Sequence, residues 1–498
     1  MRGITKGLSM PTQGITETRG LLKEWNPEDP KTWQSRQAWL TLWVTTFALL
    51  LGFMVWYMVS VIAPMLQASA VVDKSHAFWL TAMPGLAGGL LRLVWMFLPP
   101  VLGTRRMVFG STLALLLPMA GWAWLLWTLS IPAPAGVLNE KFGLMMVLAF
   151  LTGIGGGIFS GYMPSTSYFF PKSKQGTALG LQAGIGNFGV AVVQLLTPIL
   201  VGVGLFGPGK QVIRAAGKQA RLTYLASPAA FVFILLIIAA VLAFLFLKSV
   251  PIKANPRQQL DIFGNKHTWL MTLIYLLTFG CFSGLAGVFA LMMTNMMPKV
   301  PVIPWLAGGV AIAFLGALIG SLSRVLWGPL CDKFGGGIWT LVSALGIAVS
   351  AVIVIVALKG TTLLTLEGGG LVTNSAGKVV PAVGSAFCQV PQGLFLTGMF
   401  LLFFFAGIGN AATFKQMPMI FPPRQAGGVI GWTAAIAAFG PFLFSVAINA
   451  LTGAGTGTAT GNFGVKIIPV FVVVLALAVV CAVVDWWFYT RPNAEAKS

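Results

Sequence analysis

The stretch Gly88-Gly89-Leu90-Leu91-Arg92-Leu93-Val94-Trp95 returns later in the chain as Gly320-Ser321-Leu322-Ser323-Arg324-Val325-Leu326-Trp327, and both read G-x-L-x-R-x-x-W. A second pair of segments follows at a similar offset. Phe170-Pro171 precedes Gly176 and Gly180 and leads to Phe188-Gly189; Phe421-Pro422 precedes Gly427 and Gly431 and leads to Phe439-Gly440, with every spacing preserved. Chance is a poor account of two such matches, and they predict a chain built from two copies of one unit.

Each copy is a series of long apolar runs. Crossing about 30 Å of hydrocarbon takes about 20 apolar residues as a helix, and twelve runs qualify: 39–67, 77–99, 107–130, 143–166, 177–204, 228–248, 268–293, 303–328, 338–358, 393–421, 427–452 and 465–490. The two G-x-L-x-R-x-x-W segments fall in the second and eighth runs, the second of each half. Only 8% of the 498 residues are charged and 57% are hydrophobic, against roughly a quarter charged in soluble domains. Those charges are too few to cover a water-facing surface, which excludes a soluble enzyme. The alternating ten-residue segments of a membrane barrel are absent. The fold class expected is an all-α membrane protein: twelve transmembrane helices in two pseudo-symmetric six-helix halves. Parallel repeats of this kind place a substrate site near the bilayer midplane, between the halves.

The net charge of +20 would suggest nucleic acid in a soluble chain. Here the basic residues lie in short connections, where they set topology and meet anionic lipid, so lipid and not nucleic acid is the expected partner. An even number of spans puts both termini on one side. That side collects the larger share, including Arg36, Arg105, Arg106, Lys172, Lys174, Lys248, Lys266, Lys333 and Arg424, which predicts cytoplasmic termini in the cell's inner (plasma) membrane. One loop on the other side dissents, with Lys210, Arg214, Lys218 and Arg221. The expected organisation is a cytoplasmic segment 1–38 without the apolar core of a signal peptide, a six-helix bundle 39–248, a polar linker 249–267, a second bundle 268–490 and a tail 491–498. Neither tail is long enough for a signalling domain. The external segments 205–227 and 359–392 receive no function.

Arg92 and Arg324 lie deep in their spans, where a charge costs at least about 2.5–3.5 kcal/mol and needs a cavity and a partner. No Asp or Glu occupies the central part of any span. Two arginines at pseudo-symmetric depth without a carboxylate call for an anion from solution. The planar guanidinium fork suits a planar oxyanion. The competing reading is that each arginine reaches an interface or bonds backbone carbonyls, and it weakens when two arginines match. Lys415 leaves two readings open: a stem reaching the terminal-side interface, or a proton-coupling ammonium in the cavity. Asn187, among glycines, either donates to a bound oxyanion or satisfies a neighbouring helix. Gly180, Gly184, Gly186, Gly189, Gly431 and Gly440 are expected to let helices approach closely and slide. Tyr275 offers a hydroxyl, while Phe53, Phe159 and Phe279 are packing residues by default. Four cysteines without paired or metal-type spacing, and no metal cluster, nucleophile elbow or phosphate loop, argue against catalysis, a metal or a cofactor.

Asp332-Lys333-Phe334-Gly335-Gly336 resembles the loop motif of the major facilitator superfamily, with Gly103-Thr104-Arg105-Arg106 as a degenerate first-half counterpart. The chain more specifically resembles the bacterial nitrate/nitrite porters. The likeness rests on Trp25-Asn26-Pro27-Glu28-Asp29-Pro30 with Trp33, on the Arg92 and Arg324 segments, and on Ala178-Leu179-Gly180-Leu181-Gln182-Ala183-Gly184-Ile185-Gly186-Asn187-Phe188-Gly189. It implies that Arg92 and Arg324 clamp the anion, that Asn187 and Tyr275 donate to it, and that Phe53, Phe159 and Phe279 shape the chamber. It also implies nitrate import with nitrite export. A monomer is the expected oligomeric state. Two departures stand out: Ala434 and Ala437 where the family often carries Ser and Gly, and Lys415 in place of an uncharged residue. The expected function is nitrate transport by alternating access, with nitrite exchange ahead of nitrate–proton symport, the latter resting on Lys415. A non-transporting anion sensor on the same fold is the remaining rival.

Overall fold

A computed structural model describes residues 17–498 except 19, 23, 70, 131–136, 213–220, 251–255, 298–299, 304–309, 366–370, 374–378, 382–385 and 453–461. Among the described residues, twelve helices are long and apolar enough to cross a membrane: α1 (Ser35–Ala68), α2 (Lys74–Trp95), α3 (Leu98–Thr128), α4 (Glu140–Ser167), α5 (Lys172–Val203), α6 (Ser227–Phe246), α7 (Lys266–Met296), α8 (Phe314–Phe334), α9 (Gly336–Lys359), α10 (Gln392–Ile420), α11 (Gln425–Thr452) and α12 (Phe463–Thr490). The chain passes back and forth, so the start of α1 and the end of α12 share one face, the terminal face; the other is the far face.

Local chemistry sets the helix ends. Asp73 Oδ1 accepts from the His76 N–H at the start of α2, Asn265 Oδ1 from the His267 N–H at the start of α7, and Asn462 Oδ1 from the Val465 N–H at the start of α12, filling donors that no helical carbonyl can reach. The repeat seen in the sequence recurs in the backbone. Gly103 (φ 72°) kinks the chain five residues into α3 and Gly335 (φ 91°) breaks it at the α8–α9 junction, a conformation that side-chain-bearing residues rarely adopt. Gly189 of α5 leaves no room for a Cβ against the Leu50 carbonyl of α1. Gly440 of α11 does the same against the Gly280 carbonyl of α7.

Helices α1 and α7 are the innermost pair, 83% and 89% buried over their apolar windows. The periphery of each half turns aliphatic side chains outward, such as Ile237, Val241 and Leu245 on α6 and Val473, Val480 and Val483 on α12. The halves meet where α2 packs on α11, α5 on α8, and α1 on α7. Among the described residues, hydrogen bonds cross between them on the far-face side: Tyr57 Oη to Ser283 O (2.9 Å), Gln194 Nε2 to Ala286 O (2.9 Å), Thr81 Oγ1 with Ser445 Oγ (3.1 Å) and Gln67 Nε2 to Asn295 Oδ1 (3.2 Å). The far face is therefore bolted shut in this state.

The tails are docked on the terminal face. Trp25 Nε1 donates to Tyr168 O and Trp33 Nε1 to Phe169 O, while Glu28 Oε1 accepts from the Lys172 N–H at the start of α5. The tryptophan motif thus straps the α4–α5 turn, and its carboxylate sits at the positive end of α5. On the other half, Lys266 Nζ donates to Glu495 at 2.7 Å and holds that exposed carboxyl below the usual range.

One expected span begins elsewhere. The run from 303 opens not as helix but as a hairpin strand, Val302–Ile303 paired with Val310–Ala311, and α8 starts at Phe314. A short apolar run is consistent with strand or helix, and periodicity alone does not separate them. The far-face segments carry further two-stranded hairpins, Lys210–Val212 with Arg221–Thr223 and Thr362–Thr365 with Ala386–Gln389. Arg214, Lys218 and the turn-like 374–377 lie outside the described residues.

Candidate substrate site

Arg92 (0% exposed) and Arg324 (4% exposed) are both buried at the interface of the halves. Aromatic faces replace carboxylates around them. The Arg92 guanidinium lies 4.7 Å from the Phe159 ring centroid, 5.0 Å from Phe279 and 5.2 Å from Trp56. The Arg324 guanidinium lies 4.8 Å from Phe414. A desolvated cation over such a ring gains about 2 kcal/mol, which offsets much of the cost of placing it there.

The two arginines differ in what they have left to offer. Arg92 Nε donates to Gly156 O at 2.9 Å and Nη1 to Ala434 O at 2.7 Å, the latter across the halves; only Nη2 is unpartnered. Arg324 keeps both Nη1 and Nη2 unpartnered. The two pseudo-symmetric arginines are therefore not alike in this structure. Arg324 presents the fork, and Arg92 presents one nitrogen while its other donors hold backbone carbonyls, which is part of the competing reading.

Phe53, Phe159 and Phe279 are fully buried in the same aromatic cage. Phe53 and Phe159 centroids lie 6.0 Å apart, and Tyr275 stacks on Phe279 at 5.4 Å with planes 6° apart. Directly after Tyr275, α7 widens into a π-helical turn, Leu276–Gly280, which carries Phe279, a feature common at functional sites. The Tyr275 hydroxyl makes no hydrogen bond of full geometry and lies beside the Arg324 guanidinium. Asn187 is buried with neither amide atom partnered. One turn before it, Gly184 lies against Val325, the neighbour of Arg324, and on its other flank Gly189 lies against Phe53.

Of the remaining glycines, Gly186 abuts Leu49 and Phe53, and Gly431 abuts Met96 across the halves, whereas a Cβ at Gly180 meets open space. Gly180 is therefore not a contact point in this state.

Lys415 is placed away from the cage. Its Nζ donates to Asp332 Oδ1 at 2.7 Å, with side chains 36% and 57% exposed. The cavity-facing reading is corrected: the four-carbon stem carries the ammonium to water, which is far less costly than desolvating it. The residue that does enter the cage is its neighbour Phe414, whose ring also lies 5.3 Å from Tyr275 and 6.2 Å from Phe159. Successive helical residues point about a third of a turn apart, so neighbours on one helix serve different surroundings. Trp56, held by its Nε1–H to Pro84 O at 2.8 Å, and Phe414 carried no signal beyond being aromatic in apolar runs. Asp485, near the end of α12, is fully buried but bonded to Gln416 and Thr490 at the terminal side of the second half.

The site is thus a buried cluster of aromatic rings and unpartnered N–H and O–H donors. Natural structures rarely leave such groups unpaired. The arrangement favours an acceptor-rich anion.

Residues 45–380 match the model of the Major Facilitator Superfamily. The chain belongs to that superfamily, in its nitrate/nitrite porter branch. It is 47% identical to the probable nitrate/nitrite antiporter NarK2 of Thermus thermophilus, over 95% of this chain and 97% of that protein. It is 30% identical to the nitrate/nitrite transporter NarU of Escherichia coli, over 98% and 100%. The fold is shared with a D-xylose-proton symporter at a TM-score of 0.59 and 15% identity, over 89% of this chain and 96% of that one. This is a multi-pass membrane transporter of that superfamily, not an enzyme.

Proposed function

We propose that this porter exchanges nitrate for nitrite by alternating access, with Arg92, Arg324, Asn187 and Tyr275 holding the anion and Phe53, Phe159, Phe279 and Phe414 walling it off from water. The observation that carries the reading is the set of unpartnered buried donors: Arg324 Nη1 and Nη2, Arg92 Nη2, Asn187 Nδ2 and Tyr275 Oη. A small oxyanion supplies acceptors to several donors at once and adds a negative charge where two cations repel. The likeness to proteins named for nitrate and nitrite supports the substrate pair.

Exchange follows from the same geometry. Without an anion, Arg92 Nη1 is bonded across the halves to Ala434 O and two cations share a desolvated site. That arrangement disfavours the rocking that would carry them through the membrane. With an anion bound, its oxygens compete for the guanidinium hydrogens and the cluster falls to a net charge near +1, so the loaded protein rearranges more readily than the empty one. Opening toward the far face must break the Tyr57, Gln194 and Thr81 hydrogen bonds. The basic bias of the terminal-face loops supports cytoplasmic termini, so that the far face is the external one.

Nitrate uptake into proteoliposomes tests the reading. Uptake is expected to require nitrite inside and to be unaffected by collapsing a pH gradient. Uptake into nitrite-free vesicles driven by an acidic exterior overturns exchange in favour of proton symport. Lys415→Gln supplies a second check. Since its partner Asp332 is half-exposed and such pairs contribute about 0–1 kcal/mol, exchange rates of the variant should stay within about twofold of the parent, measured in the same vesicles.

A further inference from the structure

Asn410 lies near the middle of α10 and is 0% exposed, and neither its Oδ1 nor its Nδ2 has a hydrogen-bond partner. Its place on the helix is fixed by two neighbours. Gly407 abuts the Gly320 carbonyl and Ser323 of α8, and Phe414 lies under the Arg324 guanidinium. Residues 407, 410 and 414 are spaced three and four apart and so share one helical face. Asn410 is therefore carried on the stripe of α10 that runs along Arg324, while the adjacent stripe is occupied by Gly409 against Thr278 and Ser343. Its unpartnered amide matches that of Asn187 from the first half.

We propose that Asn410 is a substrate-contacting residue that separates nitrate from nitrite. The inference rests on the reading that this cage takes those two anions. They carry the same charge, so guanidinium attraction alone separates them poorly. They differ in shape: nitrate is planar with three oxygens, and nitrite is bent with two. A primary amide can place its carbonyl toward a guanidinium N–H and turn an N–H of its own toward a third oxygen. Asn187 and Asn410 bring such an amide from each half, and an oxygen that nitrite lacks leaves one of them unsatisfied. Discrimination by a neutral donor that finds or fails to find its acceptor is the stronger kind, because an orphaned buried group is costly.

The test uses the purified full chain and the near-isosteric Asn410→Leu, with nitrate and nitrite affinities and melting temperature measured together. The expected result is nitrate binding weakened about tenfold, as for loss of one hydrogen bond to a charged group, with nitrite changed less than about threefold. The apo melting temperature should be unchanged or raised, since an unpartnered amide has been replaced by an apolar group. Arg324→Lys serves as control. If it weakens both anions while Asn410→Leu changes neither, or both equally, the discriminating role is overturned and the proposed site stands. If Arg324→Lys changes neither, the site reading itself falls. A variant that melts lower or fails to fold also overturns the inference, because the amide then serves the fold.

Discussion

Arg324→Lys is expected to weaken nitrate binding about 100-fold and to abolish measurable exchange at micromolar nitrate. Arg324 is the arginine with two nitrogens unpartnered, so it supplies the bidentate grip, and each charge-assisted hydrogen bond is worth about 1.5–3 kcal/mol. Lysine keeps the charge but offers a point donor on a flexible stem. It also loses the flat contact with Phe414 at 4.8 Å. Arg92→Lys should behave differently. Arg92 spends Nε and Nη1 on Gly156 O and Ala434 O, so the variant loses one anion contact and also the bond that ties α2 to α11. Affinity should fall by about tenfold, and exchange against the same anion should become leaky, with uptake no longer strictly dependent on internal nitrite. Titration of intrinsic fluorescence, sensitive here because Trp56 lies 5.2 Å from Arg92, measures the first effect. Vesicle uptake measures the second. Unchanged affinity in both variants would falsify the clamp.

Gly440→Ala should damage the fold more than any surface change. A Cβ there overlaps the Gly280 carbonyl and comes within 2.7 Å of Ser283 Oγ. The carbonyl belongs to the π-helical turn that follows Tyr275 and carries Phe279, so α7 and α11 must separate to admit one methyl group. Overpacking of a fixed backbone costs about 1–3 kcal/mol and more where nothing can yield. Gly189→Ala, at the equivalent crossing of α5 on α1, meets the Leu50 carbonyl and should cost as much. Gly180→Ala, with open space at its Cβ, should leave the melting temperature within about 2 °C, a change under 1 kcal/mol on the usual scale for a chain of this size. Melting of the three variants in one detergent separates them; equal melting temperatures would show that the glycine positions do not govern packing.

Both results turn on pairs of positions that the repeat already matched in the sequence: Arg92 with Arg324, and Gly189 with Gly440. Apolar runs are legible because hydrocarbon demands length and composition rather than a particular partner, which is why twelve spans emerge from one chain. Buried arginines are legible because their cost in that setting makes them rare. The porter likeness implies donor roles for Asn187 and Tyr275; for Asn187, residue chemistry alone left this as one reading of two.

Other features depended on which way a side chain points. Lys415 and Phe414 are adjacent in sequence, yet one reaches water at Asp332 and the other closes on Arg324. Rotation about a helix axis is set by packing against neighbours, and a uniformly apolar helix has little amphipathic signal to reveal it. The inequality of the two arginines likewise arises from the Gly156 and Ala434 carbonyls, groups every residue possesses and no sequence distinguishes. By itself the sequence determined the number of spans, the two-fold repeat and the buried positive charge, since each follows from composition and spacing in a hydrocarbon solvent. Only the tertiary structure decided which donors remain unpartnered and which aromatic rings surround them, because those hydrogen bonds and ring contacts are largely made between helices far apart in the chain.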